Sequence, residues 1–283
     1  MDTVSTADDL RRVIRDWRRR DNRVACVPTM GNLHAGHLQL VRHARTIADR
    51  VVASIFVNPT QFGPNEDYAS YPRTPEEDAQ ALMEADTDLL FLPAVEEIYP
   101  PDLSPAPYVA VPEIDSILCG DFRPGHFSGV ATVVAKLFSL VQPDVAVFGE
   151  KDYQQLIVIR RMTRALCLPV GIEGMATVRE ASGLAMSSRN RYLSEAERAI
   201  APTLYRVLCE LRDRVEDGAS DYPALETAAA AKLEQAGFRP EYVSIRSAGD
   251  LAVPRPGEPR LRVLAAAWLG SARLIDNIGI SIG

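Results

Sequence analysis

VPTMGNLHAGHLQLVRHA, residues 27–44, joins two different patterns within one short stretch. The apolar run RVACVPT at 23–29 reads as a buried strand. From Gly36 to Asp49, Leu38, Val41, Ala44, Ile47 and Ala48 recur at helical spacing and share one face. His34 and His37 stand at the junction. Spaced i, i+3 on a first helical turn, they point to one side. There the backbone N–H groups lack partners and the helix dipole is positive. Phosphate is the natural ligand of such a place. Gly31 and Gly36 permit close approach of backbone to a ligand, and imidazoles add donors that stabilise charge as a phosphoanhydride breaks. The plain alternative is two partly exposed polar residues at a helix start.

Moving outward, RVVASIFVN (50–58), DLLFLP (88–93) and DVAVFG (144–149) read as further buried strands. Helical patterns separate them: TPEEDAQALMEA, HFSGVATVVAKLFSLVQ (126–142) and DYQQLIVIRRMTRAL (152–166). Before the first of these, Thr74 is placed to cap, Pro75 suits the first helical position and Glu77 would complete a capping box. The alternation of continuous apolar strands with helices predicts an α/β fold: a Rossmann-like parallel sheet covered on both faces. Its strand carboxyl ends gather on one edge, where such sheets bind ligands. The long loop 59–73 is then a candidate functional segment, and 100–112, with five prolines, an irregular connection.

Beyond about residue 177 the pattern changes. SEAERAIAPTLYRVLCELRDRVEDG reads as one long helix opened by a Ser194–Glu197 capping box, and YPALETAAAAKLEQAGF as a second, ending at Gly237. Three strands follow, EYVSIRSA, LRVLAAAWLG and ARLIDNIGI. The expected division is residues 1–177 as the Rossmann-like domain and 178–283 as a smaller C-terminal α+β lid domain.

The chain has 283 residues, 47% of them hydrophobic and 24% charged, which is a globular composition. A formal net charge of −7 argues against a nucleic-acid partner, although local Arg and Lys can still build a positive pocket. Cys26, Cys119, Cys167 and Cys209 form no C-x-x-C pair, so neither a zinc ribbon nor a redox motif is expected. Cys26 and Cys209 read as buried thiols, and reduced cysteines fit a cytoplasmic location. The N-terminal residues carry no apolar signal core, and no apolar run approaches the roughly 18 residues of a membrane span.

Two further clusters favour phosphate. Gly149, Glu150, Lys151 and Asp152 follow a buried strand and precede a helix. Lysine there neutralises phosphate, and an acid meets a ribose hydroxyl or a metal; ordinary helix-start chemistry is the alternative. AMSSRNRYLS (185–194) collects hydroxyls and guanidinium groups, the latter suited to bidentate phosphate binding. By itself that stretch reads rather as a surface turn. Neither a P-loop nor a G-x-G-x-x-G fingerprint is present.

PTMGNLHAGH resembles the H-x-G-H element of nucleotidylyltransferases and class I aminoacyl-tRNA synthetases, and MSSR their K-M-S-K-S-type element. VPTMGNLHAGH, SIFVNPTQFGPNEDYASYPRT, RPGHFSGV, VFGEKDYQQL and MSSRNRYLS together resemble the pantoate–β-alanine ligases, in order over residues 23–194 and on to ARLIDNI. The resemblance implies ATP-dependent condensation of (R)-pantoate with β-alanine through a pantoyl adenylate, with ATP as co-substrate, Mg²⁺ bridging its phosphates, and a homodimer. It implies an ATP site lined by Met30, Gly31, Asn32, Leu33, His34, Ala35, Gly36, His37, Gly149, Glu150, Lys151, Asp152, Val178, Met186, Ser187, Ser188 and Arg189. Of these, His34, His37, Lys151, Ser187, Ser188 and Arg189 are the catalytic set, with His37 steadying the departing pyrophosphate. Gln61 and Gln155 are expected on pantoate, with Asn58 and Arg123 nearby. Glu77 and Asp78 are expected either to serve the metal or Gln61's loop, or merely to face their helix's first turn. His126 is a pocket residue or a helix-start histidine. The competing readings are a nucleotidylyltransferase using a phosphate acceptor, which the neutral Gln61 and Gln155 disfavour, and a non-catalytic nucleotide sensor.

Overall fold

A computed structural model describes residues 1–64 and 66–282. The chain divides into two compact units, Met1–Glu150 with Val158–Ala176, and Lys151–Ile157 with Thr177–Gly283. The segment Lys151–Ile157, which the sequence pattern leaves inside the first domain, groups with the second unit.

The first unit is built on six parallel strands: β1 (Asp2–Val4), β2 (Val24–Thr29), β3 (Arg50–Ile55), β4 (Leu89–Phe91), β5 (Val145–Gly149) and β6 (Gly171–Met175), in the order β1-β4-β3-β2-β5-β6. Helices α1 (Ala7–Arg18), α2 (Ala35–Ile47), α3 (Pro75–Glu84), α4 (Val95–Ile98), α5 (Cys119–Phe122) and α6 (His126–Val141) connect them. Helix α7 (Tyr153–Ala165) begins in the second unit and ends in the first. Leu40, Val41 and Ala44 of α2 pack with Val27, Val51, Ala53, Leu90 and Val147 of the sheet. This is the apolar stripe expected from the spacing, shifted to include Leu40.

Strand order places the topological switch at β2, with β3 on one side and β5 on the other. Beyond the pairs Ala25↔Val145 and Cys26↔Ala146 the β2–β5 ladder stops, whereas β2–β3 pairing runs on to Thr29↔Ile55. Pro28 marks the divergence. The Thr29 carbonyl accepts from Phe56 N–H at 3.0 Å on the β3 side, so by alternation Pro28 faces β5. Its missing donor falls where the ladder has ended, which is how a proline survives in a central strand. The sheet thus opens at its carboxyl edge next to the loop that carries the histidines, where doubly wound sheets bind ligands. Cys26 is fully buried, and burial pushes its thiol up to about 12, as befits a structural residue.

Several sequence expectations change. β1 and α1 form from an N-terminal stretch with no apolar strand pattern. β1 is held by backbone pairing to β4, and α1 buries Leu10 and Ile14 behind a Thr6 cap. β6 is a further strand the pattern missed, because it lies at the sheet edge and only partly buries its side chains. Thr74 makes no side-chain cap on α3, so the predicted box with Glu77 does not form.

In the second unit, α8 (Glu195–Ile200) and α9 (Thr203–Glu216) replace the single long helix, broken at Ala201–Pro202 because proline lacks the amide that would continue it. The Ser194–Glu197 capping box is present. Helix α10 (Tyr222–Gln235) and α9 pack on an antiparallel sheet of β7 (Arg239–Ser247), β8 (Arg260–Leu269) and β9 (Ala272–Ser281). Cys209 is only half-buried. Among the described residues, no helix is long and apolar enough to cross a membrane.

Candidate functional site

In the first unit, the loop after β2 rises through Gly31 and Asn32, both left-handed at φ +80° and +51°. Glycine suits the first of these; asparagine is among the few side chains that tolerate the second. His34 is the N-cap of α2. Its Nδ1 accepts from the Gly36 N–H at 3.1 Å, and His37 Nδ1 accepts from the His34 N–H at 3.3 Å. The two rings lie 4.0 Å apart at 33°. A neutral imidazole carries one proton, so rings whose Nδ1 atoms both accept carry it on Nε2. The histidines thus form a reciprocal cap that fixes both tautomers and makes each Nε2–H a donor. Spacing alone placed the pair at the helix start; that they cap each other needs the structure.

Asp78, in the first turn of α3 and 3% exposed, reaches this loop. Its Oδ2 accepts from the Asn32 N–H at 2.8 Å and its Oδ1 from the Leu33 N–H at 2.7 Å. Glu77, beside it in sequence, is exposed. The two carboxylates expected together on a metal face different surroundings, Glu77 exposed and Asp78 buried against two amides. Asp78 does not support Gln61's loop; the loop it holds is the histidine loop.

A second constellation surrounds the turn Pro59–Gln61 that follows β3. Gln61, 8% exposed, donates through Nε2 to Met30 Sδ at 3.1 Å, and its Oε1 accepts from Asn58 Nδ2 at 3.0 Å. Asn58 is saturated: Nδ2 also donates to the Gly129 carbonyl at 3.1 Å, while Oδ1 accepts from the Thr60 hydroxyl and the Tyr99 hydroxyl, each at 2.9 Å. Asn58 therefore braces the turn. Gly129 of α6 allows it: a Cβ there would lie 2.4 Å from the Thr60 carbonyl oxygen. The contact was invisible in sequence because its partners are about 70 residues apart, as the Asn58–Gly129 bond shows (|i−j| = 71).

Arg123 is committed as well. Its Nε donates to Glu66 Oε1 at 2.7 Å and its Nη2 to Oε2 at 2.5 Å, a bidentate pair. Its Nη1 lies 3.0 Å from His126 Nε2, and His126 Nδ1 lies 2.8 Å from the Gln61 carbonyl oxygen. Guanidinium can only donate, so His126 Nε2 accepts and Nδ1–H donates to Gln61. His126, the first residue of α6, is thus a helix-start histidine satisfied at both ring nitrogens, and it links Arg123 to Gln61. Burial alone would raise the Glu66 carboxyl; the hydrogen bond and charge of Arg123 outweigh it and hold Glu66 below the usual carboxylate range.

Of the second cluster, Gly149 ends β5 and Glu150 closes the first unit's long segment. In the second unit, Lys151 is partly buried, with Nζ 3.9 Å from Asp152 Oδ1, and its carbonyl accepts from Asn277 Nδ2 at 2.8 Å. Tyr153 donates to the Ala248 carbonyl at 2.8 Å beneath the Arg262 guanidinium, 3.8 Å from the ring centroid. These bonds tie the start of α7, with Gln155 half-buried on it, to the second unit. Val178 and Met186 meet through a backbone bond of 3.0 Å. Ser187 caps the short turn Ser188–Tyr192 by accepting from the Arg189 N–H at 3.3 Å. Arg179, beside Val178, holds the buried Asp276 carboxylate at 2.7 and 2.9 Å.

A family model described as pantoate-beta-alanine ligase matches residues 2–279. The pantothenate synthetase of Methylococcus capsulatus is 56% identical over 282 residues, spanning 100% of this chain and 99% of the relative. That of Pseudomonas aeruginosa is 54% identical over 282 residues and spans 100% of both. The crystal structure of pantothenate synthetase from Thermus thermophilus superposes with TM-score 0.91 at 48% identity, covering 98% of this chain and 99% of that one. A pantoate-beta-alanine ligase from Francisella tularensis, solved with beta-gamma ATP and beta-alanine, gives TM-score 0.82 at 33% identity, covering 98% and 97%.

Proposed function

The chain belongs to the pantoate-beta-alanine ligase family, and on that premise we propose how its residues perform the ligation. The reaction is the ATP-dependent joining of pantoate to β-alanine. In our reading it proceeds in two steps. A pantoate carboxylate oxygen attacks the α-phosphorus of ATP, the bond to the bridging oxygen breaks, and pyrophosphate leaves. The β-alanine amine then attacks the acyl carbon, AMP departs with the electron pair of the C–O bond, and the amine gives up a proton to form the amide of pantothenate. Activation is needed because a carboxylate is a poor acyl donor, and a mixed anhydride carries a good leaving group. Positioning and charge neutralisation supply the rest.

The observation that carries this reading is the reciprocal histidine cap. Both Nδ1 atoms are spent on backbone, so Nε2–H of His34 and His37 donate to phosphate oxygens at the positive end of α2. His37 steadies the departing pyrophosphate. Met30, Gly31, Asn32, Leu33, Ala35, Gly36, Gly149, Glu150, Asp152, Val178 and Met186 complete the proposed nucleotide set, with Lys151, Ser187, Ser188 and Arg189 acting on phosphates. Gln61 and Gln155 hold pantoate through neutral hydrogen bonds, Gln61 already oriented by Met30 and Asn58.

Magnesium would come with ATP and would supply neutralisation of phosphate charge. Glu77 and Asp78 are not its ligands in this proposal, one being exposed and the other engaged on amides. We further propose a homodimer in the cytoplasm; light scattering of the purified protein tests the assembly. The decisive assay is ATP–pyrophosphate exchange. It should require pantoate and proceed without β-alanine, and AMP should accumulate only when both acids are present. Exchange driven by a phosphorylated acceptor and not by pantoate would replace this reading with nucleotidylyl transfer, and ATP binding without any exchange would favour a sensor.

A further inference from the structure

We propose that Asp78 is the positioning residue of the nucleotide loop: its buried carboxylate clamps two consecutive loop amides and so sets where the capped histidines present their donors. The proposal deepens the ligase reading and rests on it for the identity of the ligand.

The physical case is specific. Asn32 and Leu33 turn successive N–H groups to one side of a left-handed bend, an arrangement that attracts an anion. Asp78 supplies that anion from within the protein, one oxygen to each amide, at 2.8 and 2.7 Å. A carboxylate that is 3% exposed is tolerable only with such partners, and its place in the first turn of α3 adds the positive end of a second helix. Gly31 fits beside it with no room to spare: an added Cβ would lie 3.0 Å from Asp78 Oδ2 and 3.0 Å from Ile55 Cγ2. One residue after Leu33 comes His34, the N-cap. Any slip of the clamp therefore moves the cap, both imidazoles and the first turn of α2 together. By filling the first two donors of the bend, Asp78 also leaves the incoming phosphates to the imidazoles that follow.

Two variants of the full-length protein test this. Asp78→Asn keeps shape but offers one oxygen to two amides and sets an NH₂ against an N–H. Asp78→Glu keeps the charge but carries the carboxylate one methylene further from the two amides, and serves should Asp78→Asn fail to fold. For either, the expected result is a KM for ATP raised about tenfold or more. The KM for β-alanine should stay within about twofold and kcat at saturating ATP within about threefold. Backbone hydrogen exchange across 31–34 should quicken while the rest of the sheet keeps its protection. An unchanged KM for ATP, with activity lost only in proportion to folded protein, would overturn the proposal, as would unchanged exchange across 31–34. Failure of the ligase reading is separable: a wild-type protein that makes no AMP from pantoate and β-alanine loses that reading, while quickened exchange in the variants still supports the clamp.

Discussion

The histidine loop, 30–37, and the glutamine turn, 58–61, sit at the ends of neighbouring strands of one sheet, yet they are held by opposite means. The loop is mostly self-supporting. Its cap is made by two residues three apart, and its bend by a glycine and an asparagine in left-handed conformation. One remote residue, Asp78, completes it. The turn owes far more to distant neighbours: Gly129, Tyr99, His126 and, through them, Arg123 and Glu66. On the proposed assignment of the two sites, nucleotide handling would depend on a mostly local device, and acyl-acid handling on a network spread over the chain. Damage should divide accordingly, and each experiment below tests that division.

The largest effect is expected at the loop itself. His37→Ala removes the donor proposed to steady the departing pyrophosphate, so pantoate-dependent ATP–pyrophosphate exchange should fall by about 10²–10³-fold. The lost cap should lower stability by only about 1 kcal/mol, so the thermal midpoint should move by a few degrees at most. The KM for pantoate should stay near its wild-type value. Exchange close to wild type would remove His37 from the mechanism, and a large pantoate effect would break the division between the two regions.

Gly129→Ala comes next and strikes the turn from below. With a Cβ 2.4 Å from the Thr60 carbonyl oxygen and 2.8 Å from Gln61 Cα, either α6 or the turn must move. Overpacking of this kind destabilises by about 1–3 kcal/mol. Displacement of Gln61 should raise the KM for pantoate by about ten- to a hundredfold with the KM for ATP little changed. Parallel losses in both constants would mean that the turn and the loop move as one piece, through the Gln61–Met30 contact.

How much of this was legible in the sequence follows the same line. The parallel sheet, the helix behind the histidines and the two imidazoles at its mouth announce themselves through short-range pattern, because strand and helix periods are properties of adjacent residues. The division near residue 177 showed as a change of pattern, but the membership of Lys151–Ile157 did not, since it depends on Asn277, Ala248 and Arg262. Asn58 and Arg123 were expected near pantoate, and the structure adds what holds each of them. Their chemistry was right for a ligand, and only the fold reveals that Gly129 and Glu66 use it. Asp78 was expected on a metal, on Gln61's loop or only at its helix's first turn, and its grip on Asn32 and Leu33 escaped for the same reason. Pro202 is the contrary case: a local signal present in the sequence, overridden by a continuous amphipathic stripe on both sides.

Arg123→Lys is a milder test of the network. Lysine keeps the charge but loses the planar fork that holds both Glu66 oxygens and His126 together. The KM for pantoate should rise by about three- to tenfold, with a smaller change in melting than Gly129→Ala produces. Restoration of wild-type pantoate affinity by lysine would mean that only the charge matters, and the geometric chain from Glu66 to Gln61 would lose its standing.

The smallest effect is a dependence on pH. Burial on its own would raise the Glu66 carboxyl, but Arg123 holds it below the ordinary carboxylate value, about 4.3. A carboxyl depressed in the folded state stabilises the fold fully above its unfolded value and loses that contribution as pH falls through the folded one. Denaturant midpoints measured from pH 6 down to pH 3 should therefore decline on the acid side, and pantoate binding should weaken with them. Asp144 declines with the same sign, because the Val24 amide and Arg18 depress it against a like burial effect. The two can be told apart. Glu66→Gln should flatten the acid limb of pantoate binding and leave the part due to Asp144 in the stability curve. Asp144→Asn should flatten stability while leaving pantoate's acid limb in place. If both variants alter pantoate binding alike, the acid sensitivity belongs to the sheet as a whole and not to the brace beneath Gln61.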